Sequence, residues 1–159
     1  MRDLTTAESL LLVSFRLWAL HQAQGPEAAL PSWRTGLDSV GLAGAVDLLF
    51  CPLMETVFSG ARRVPEVQQM GCRRISRDES VFLGCIANYH HQQMLEAEIL
   101  LARWLQPTAV RVASSLAMRL AAALEAVHLS LPLRYGARAG DRPYRIAATY
   151  RHDAGRRLH

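Results

Sequence analysis

The sequence contains no lysine, although 18 of its 159 residues are arginine. Residues that favour β-sheets are also scarce, since valine and isoleucine supply 14 positions against 47 alanines and leucines. Alanine and leucine are strong helix formers, so this balance argues against a β-rich fold and favours helices. An alanine-rich chain without lysine is also what the codon usage of a GC-rich bacterial genome produces, and we expect a bacterial source.

Long apolar runs are missing as well. The two most apolar windows, residues 10–20 and 42–58, are too short or are interrupted by Arg16, Asp47 and Glu55, whereas a transmembrane helix needs roughly 20 apolar residues. No secretory signal is evident. Three cysteines without paired spacing do not suggest a disulfide framework and suit a reducing compartment. We therefore expect a cytoplasmic protein without a membrane partner.

Signatures of catalysis and of cofactor binding are also lacking. The sequence has no glycine-rich phosphate loop, no Gly-x-Ser-x-Gly elbow and no Cys-x-x-Cys pair. Half of the residues are hydrophobic and a fifth are charged, which excludes a fully disordered chain, and the length suits one domain. We expect a protein that is not an enzyme and that needs neither a metal nor a cofactor.

Two capping boxes predict where helices begin. Thr5 with Glu8 opens a first helix that should run to about residue 24. Ser76 with Glu79 opens a longer helical stretch that ends near residue 105. The apolar phase slips at residues 90–93 of this stretch, which predicts two helices or one sharply bent helix.

The remaining helices follow from apolar periodicity. One stripe keeps its phase from residue 42 to about 60 through Pro52, which predicts a single kinked helix. Thr108 caps a last helix to about His128, for which we expect the core stripe Val112, Leu116, Leu120, Leu124 and Val127. A parallel stripe of small residues, Ala113, Ala117 and Ala121, would let another helix approach closely. The predicted fold is an all-α, single-domain bundle of five or six helices spanning residues 1–128.

Residues 129–159 read as a separate basic arm. They alternate between apolar and polar residues over 129–135 and 144–150, which suggests a β-hairpin, although an arginine-rich tail is the alternative. Residues 134–159 hold seven arginines against two aspartates. In the hairpin, the apolar residues would face the helices while Arg134, Arg145 and Arg151 would face solvent.

The first helix is apolar on every side between residues 10 and 20, apart from Arg16. Helices of this kind lie in the middle of a bundle or at a subunit interface. We therefore also expect a homodimer in which a second copy covers one side of this helix.

Cys72 is the candidate redox thiol. Arg73, Arg74 and Arg77 follow it, and a helix begins after Ser76, which would favour the thiolate. An ordinary loop cysteine is the alternative. We expect Cys85 to be a small core residue.

A second candidate site is a cluster of arginines that could bind an anion or a macromolecular partner. Its members are Arg62, Arg63, Arg73, Arg74 and Arg77. Glu66, Asp78 and Glu79 dilute this charge, so the sequence favours a solvated, salt-bridged loop over a binding cluster.

Four residues leave a metal role open. Glu125 and His128 have the i, i+3 spacing of di-iron bundles, but the sequence has no second copy of the motif. His90 and His91 are adjacent, and adjacent helical residues point about 100° apart, which disfavours a shared metal. We assign no metal site.

The sequence therefore favours a non-enzymatic cytoplasmic adaptor or regulatory module that binds another macromolecule, with a protein as the expected partner. One alternative is nucleic-acid binding through the basic C-terminal segment. A second is a small thiol- or metal-dependent sensor or enzyme centred on Cys72 or the histidines.

Overall fold

A computed structural model describes residues 4–25 and 29–134, and the backbone of residues 144–145. The all-α prediction is confirmed, because the described residues form a helical bundle with one short strand pair. The elements are α1 (Thr6–Gln24), α2 (Thr35–Ser39), α3 (Ala43–Ala45), α4 (Cys51–Gly60), β1 (Arg74–Ile75), α5 (Arg77–His90), α6 (Met94–Trp104), α7 (Pro107–Ala126) and β2 (Tyr144–Arg145).

Helix α1 packs against α2 and α5. It begins at the predicted capping box, in which the Thr5 hydroxyl accepts from the Glu8 amide and the Glu8 carboxylate accepts from the Thr5 amide. Other helices of the same chain bury most of its sides, although Val13 stays 43% exposed. The apolar surface of α1 is thus largely covered without a second copy, and the homodimer stays a prediction.

The run from α3 to α4 is one helix with a π turn at Val46–Phe50. The Cys51 amide donates to the Val46 carbonyl, five residues back. A proline inside a helix has no amide to donate, and its ring clashes with the carbonyl four residues earlier. The wider π turn directly before Pro52 accommodates this interruption, so the predicted single helix through Pro52 is confirmed.

The same run, Ala43–Gly60, is long and apolar enough to cross a membrane when judged by length and composition alone. A third of it is buried in the bundle. It also carries Asp47 and Glu55, which are both exposed.

The predicted break between α5 and α6 is confirmed, and it occurs without glycine or proline. Gln92 adopts the left-handed conformation, with φ of 58°. The Gln93 amide donates to the Asn88 carbonyl at 2.8 Å and the Gln92 amide donates to the Tyr89 carbonyl at 3.0 Å. This pair of bonds is a Schellman motif, which ends α5 and turns the chain into α6.

Helix α7 faces the core with its small residues rather than with the whole predicted stripe. Its buried residues are Ala113, Ala117, Leu120, Ala121 and Leu124. The prediction that Val112 faces the core is wrong, because that side chain is 52% exposed. The small face lets α4 pack closely: a Cβ added to Gly60 would lie 2.3 Å from the Cβ of Ala109.

Residues 129–134 form no described strand, and the Arg134 amide donates to the Pro132 carbonyl at 2.9 Å. Leu131 is buried, and its carbonyl accepts from the His91 ring at 2.7 Å. Farther along, β2 pairs antiparallel with β1. The strand at Tyr144–Arg145 thus pairs with Arg74–Ile75. The rest of the predicted hairpin, 135–143 and 146–150, lies outside the described residues.

Candidate binding surface

A buried ion pair joins α1 to α5 in the bundle. Arg16 donates to both carboxylate oxygens of Glu79, with distances of 2.7 Å from Nε and 3.0 Å from a terminal nitrogen. Arg16 is 5% exposed and Glu79 is fully buried. A charge pair this deep is maintained only where the other lone pairs and protons are also bonded, and here they are.

The same guanidinium holds the loop that precedes α5. Its terminal nitrogens donate to the carbonyls of Cys72 at 2.8 Å and Arg74 at 2.7 Å. Glu79 meanwhile accepts from the amides of Gln68 at 3.0 Å and Ser76 at 2.8 Å. This loop, the connector of residues 62–77, is therefore tied to the buried ion pair at four backbone positions.

Asp78 ties down the first half of the connector. Its two carboxylate oxygens accept from the Arg63 guanidinium, each at 2.8 Å, and one of them accepts from the Glu66 amide at 2.6 Å. Arg62 is bonded to the backbone after α6, since its Nε donates to the Leu105 carbonyl at 3.0 Å. These two arginines of the predicted cluster thus help to hold the connector in place.

The other three arginines of the cluster are exposed, as are Arg62 and Arg63. Arg73, Arg74 and Arg77 form no ion pair with any residue that the structure describes. Asp78 and Glu79 cannot neutralise them readily, because both carboxylates are buried against Arg63 and Arg16. Of the five arginines, Arg63 therefore forms a salt bridge within the connector region, whereas Arg73, Arg74 and Arg77 form none with a described residue.

Two apolar side chains are exposed on the same loop. Val64 is 86% exposed. Met70 is 42% exposed and lies in a turn that the Cys72 amide closes onto the Gln69 carbonyl, with Gly71 at a φ of 79°. We call five exposed side chains of the connector the connector patch, namely those of Val64, Met70, Arg73, Arg74 and Arg77. The side chains of Arg62, Arg63, Glu66 and Gln69 are exposed on the same segment.

The predicted arginines of the C-terminal segment have different positions. Arg145 lies opposite Arg74 in the β1–β2 pairing. Arg134 does not face solvent as predicted: it is 15% exposed and lies 3.5 Å from a carboxylate oxygen of the buried Glu8. A buried carboxylate requires a nearby donor, and the alternation pattern carried no information about this contact. Arg151 lies outside the described residues.

Cys72 lies half-buried beside the patch. Its thiol is 3.5 Å from the Gln68 side-chain oxygen, and its carbonyl is bound by Arg16. Burial raises the pKa of the Cys85 thiol, which lies in the core as expected. Burial and the neighbouring Glu55 carboxylate raise the pKa of Cys51.

Histidines at the two helix ends have structural contacts. His91 binds Leu131, as described above. His128 adopts the left-handed conformation after α7, and its amide donates to the Glu125 carbonyl at 2.9 Å, which is half of a second Schellman motif. Glu125 and His128, which have the i, i+3 spacing, are thus joined by a backbone hydrogen bond at the end of α7. Among the described residues, no three potential ligands cluster around a metal position.

No family model, curated protein or solved structure matches the chain.

Proposed function

We propose that the protein is a non-enzymatic, cytoplasmic adaptor or regulatory module that binds another macromolecule through the connector patch. The observation that carries this proposal is the combination of a fixed backbone and exposed side chains. Bonds from Arg16, Asp78 and Glu79 hold the connector, while Arg73, Arg74, Arg77 and two apolar residues remain available. A loop ordered before binding loses less conformational entropy when a partner docks.

The composition of the connector patch supports the same proposal. Arginine and methionine are enriched where proteins bind one another, because both offer large contact areas. Three guanidinium groups beside Val64 and Met70 combine charged and apolar contacts on one segment. Val64 is 86% exposed, so a partner that docks on the connector would bury its apolar surface.

An affinity capture tests this function. The tagged, full-length protein is incubated with a lysate of the cells that naturally make it, and the retained proteins and nucleic acids are quantified. Arg73→Gln/Arg77→Gln should lose the retained partner. The control Arg111→Gln/Arg119→Gln removes the same charge from exposed positions of α7 and should keep it. Equal retention by both variants, or no specific partner at all, would contradict the proposal.

A further inference from the structure

The run from α3 to α4 is poorly covered for so apolar a helix. It has the length and composition of a membrane-spanning helix, yet only a third of it is buried in the bundle. Leu48 is 69% exposed on its outer side. Glu55 and Ser59 are also exposed, and the intervals of seven and four residues place the three side chains on one helix face. The described part of the chain therefore leaves the outer side of this run open.

Helix α7 lies beside this run and is open on the adjoining side. A Cβ added to Gly60 would meet Ala109, and one added to Gly41 would lie 3.8 Å from the Val127 side chain, so the two helices are antiparallel. Val112 is 52% exposed and lines a groove of about 510 Å³ between them. We call the joint outer surface of the two helices the α4–α7 face. Its exposed side chains include those of Leu48, Glu55, Ser59, Arg111, Val112 and Arg119.

The charges of the α4–α7 face are divided between its helices. The acid Glu55 lies on α4, whereas Arg111 and Arg119 lie on α7. None of the three forms an ion pair with another residue that the structure describes. The two glycine contacts set the register of the helices, and in this register Glu55 lies within about one helical turn of the height of Arg111. One face thus carries an acid on one helix and a base at a similar height on the other.

We propose that a second copy of the chain docks on the α4–α7 face, about a two-fold axis parallel to the two helices. Such an axis lays α4 of each copy against α7 of the other at the same height. Glu55 then meets Arg111 of the second copy, and the symmetry repeats this contact. Complementary charges of this kind fix the register of an interface. The inference does not depend on the function proposed above, and it places the dimer contact on α4 and α7 instead of α1.

The area of the α4–α7 face suits a specific dimer. Its two helices have 18 and 20 residues. At about 1.5 Å per residue they are about 27–30 Å long, and side by side they are about 20 Å wide. The projected area of about 550–600 Å² is of the same order as the roughly 800 Å² of accessible surface that each partner buries in a stable complex. A lipid bilayer is a less suitable occupant, because it would bury Glu55, Arg111 and Arg119 without partners.

Sedimentation velocity of the full-length protein over about 1–100 µM tests the proposal, because dimerisation depends on protein concentration. The native mass should be twice that of one chain at the upper end of this range. Leu48→Arg adds a charge inside the contact and should raise the dissociation constant at least about tenfold, since charged residues are depleted from interface cores. Val64→Arg adds the same charge at an exposed site of the connector and should leave the dimer unchanged.

A charge exchange tests the axis and the register. Glu55→Arg and Arg111→Glu should each weaken self-association at least about tenfold, because each opposes like charges across the contact. An equimolar mixture of these two variants should restore the dimer, because each then supplies the charge that the other requires at both symmetry-related contacts. Mixing Glu55→Arg with Arg73→Glu, which has the same net charge as Arg111→Glu, should not restore it.

A native protein that stays monomeric at about 100 µM would overturn the inference. So would a dimer that survives Leu48→Arg, or a mixture of Glu55→Arg and Arg111→Glu that remains monomeric. A monomeric native mass together with flotation on phospholipid vesicles that Leu48→Arg abolishes would identify a membrane surface as the occupant, and the dimer inference would fail. Partner capture by the connector patch should persist in Leu48→Arg, so failure of the dimer and failure of the proposed function are separate results.

Discussion

Replacing Arg16 by methionine should be among the most damaging single changes to this fold. The substitution keeps an unbranched side chain of similar reach but removes every donor. It leaves the Glu79 carboxylate buried with only backbone amides as partners, and it leaves the carbonyls of Cys72 and Arg74 without the guanidinium. Removing one partner of a buried ion pair typically costs about 3–5 kcal/mol. We expect a loss in this range.

The magnitude can be checked by urea unfolding followed by far-ultraviolet circular dichroism. With a urea dependence of about 2 kcal/mol per molar, the midpoint should fall by about 1.5–2.5 M. The double variant Arg16→Met/Glu79→Gln removes both charges and should lose less than the sum of the two single losses, by about 1–3 kcal/mol. Arg111→Met, at an exposed site of α7, should stay within about 0.5 kcal/mol of the native protein.

Two outcomes would refute this reasoning. A loss below about 1 kcal/mol for Arg16→Met would mean that water replaces the guanidinium at little cost. Strict additivity of the single variants would mean that Arg16 and Glu79 are energetically independent despite their 2.7 Å contact.

Other predictions concern packing, titration, thiols and assembly. Gly60→Ala should cost about 1–3 kcal/mol by overpacking against α7, whereas Gly44→Ala, which meets nothing within 4 Å, should be neutral or stabilising in thermal unfolding. Burial raises the pKa of Tyr89 to about 12. The stability that this raised pKa contributes is complete below pH 10 and is lost as pH rises through 12. The Tyr89→Phe variant should therefore lose less stability than the native protein between these two pH values. Iodoacetamide should label Cys72 faster than Cys51 and Cys85, because burial raises the pKa of those two thiols. Equal labelling of the three cysteines, measured by mass spectrometry, would contradict the hypothesis that Cys72 is a redox thiol. Light scattering at tens of micromolar tests the homodimer, and a monomeric mass would exclude it.

Local sequence signals predicted the helices well, except that α7 begins at Pro107 with Gln106 as its N-cap, so the predicted Thr108 cap is wrong. Both capping boxes form as expected, because their partners lie only three residues apart. The break before α6 followed from the phase slip at residues 90–93, although the residue that adopts the left-handed conformation, Gln92, is not one that favours it. The orientation of α7 was less predictable. Apolar periodicity predicted that the large residues of the helix face the core, whereas the alanine face lies against it. Close packing against Gly60 favours the smaller side chains there.

The organisation of the candidate site could not be read from local patterns. Arg16 and Glu79 are 63 residues apart, and no periodicity links them. One signal was available: Arg16 is the only charge in the most apolar part of α1, and a charge in a buried helix requires a buried partner. The opposition of Arg74 to Arg145 was equally hidden, because it depends on a strand pairing between segments that are distant in sequence.

The buried ion pair holds the backbone that carries the connector patch. Arg16 donates to the carbonyls of Cys72 and Arg74. Arg74 is one of the arginines proposed to contact the partner, and Cys72 directly precedes them in the chain. The guanidinium of Arg16 holds this backbone, and the side chains of Arg73 and Arg74 are exposed. Loss of Arg16 should therefore release the connector locally as well as destabilise the bundle, and a mobile connector would lose entropy again on binding. Stability and partner affinity should then fall together in Arg16→Met, whereas Arg73→Gln/Arg77→Gln should reduce affinity alone.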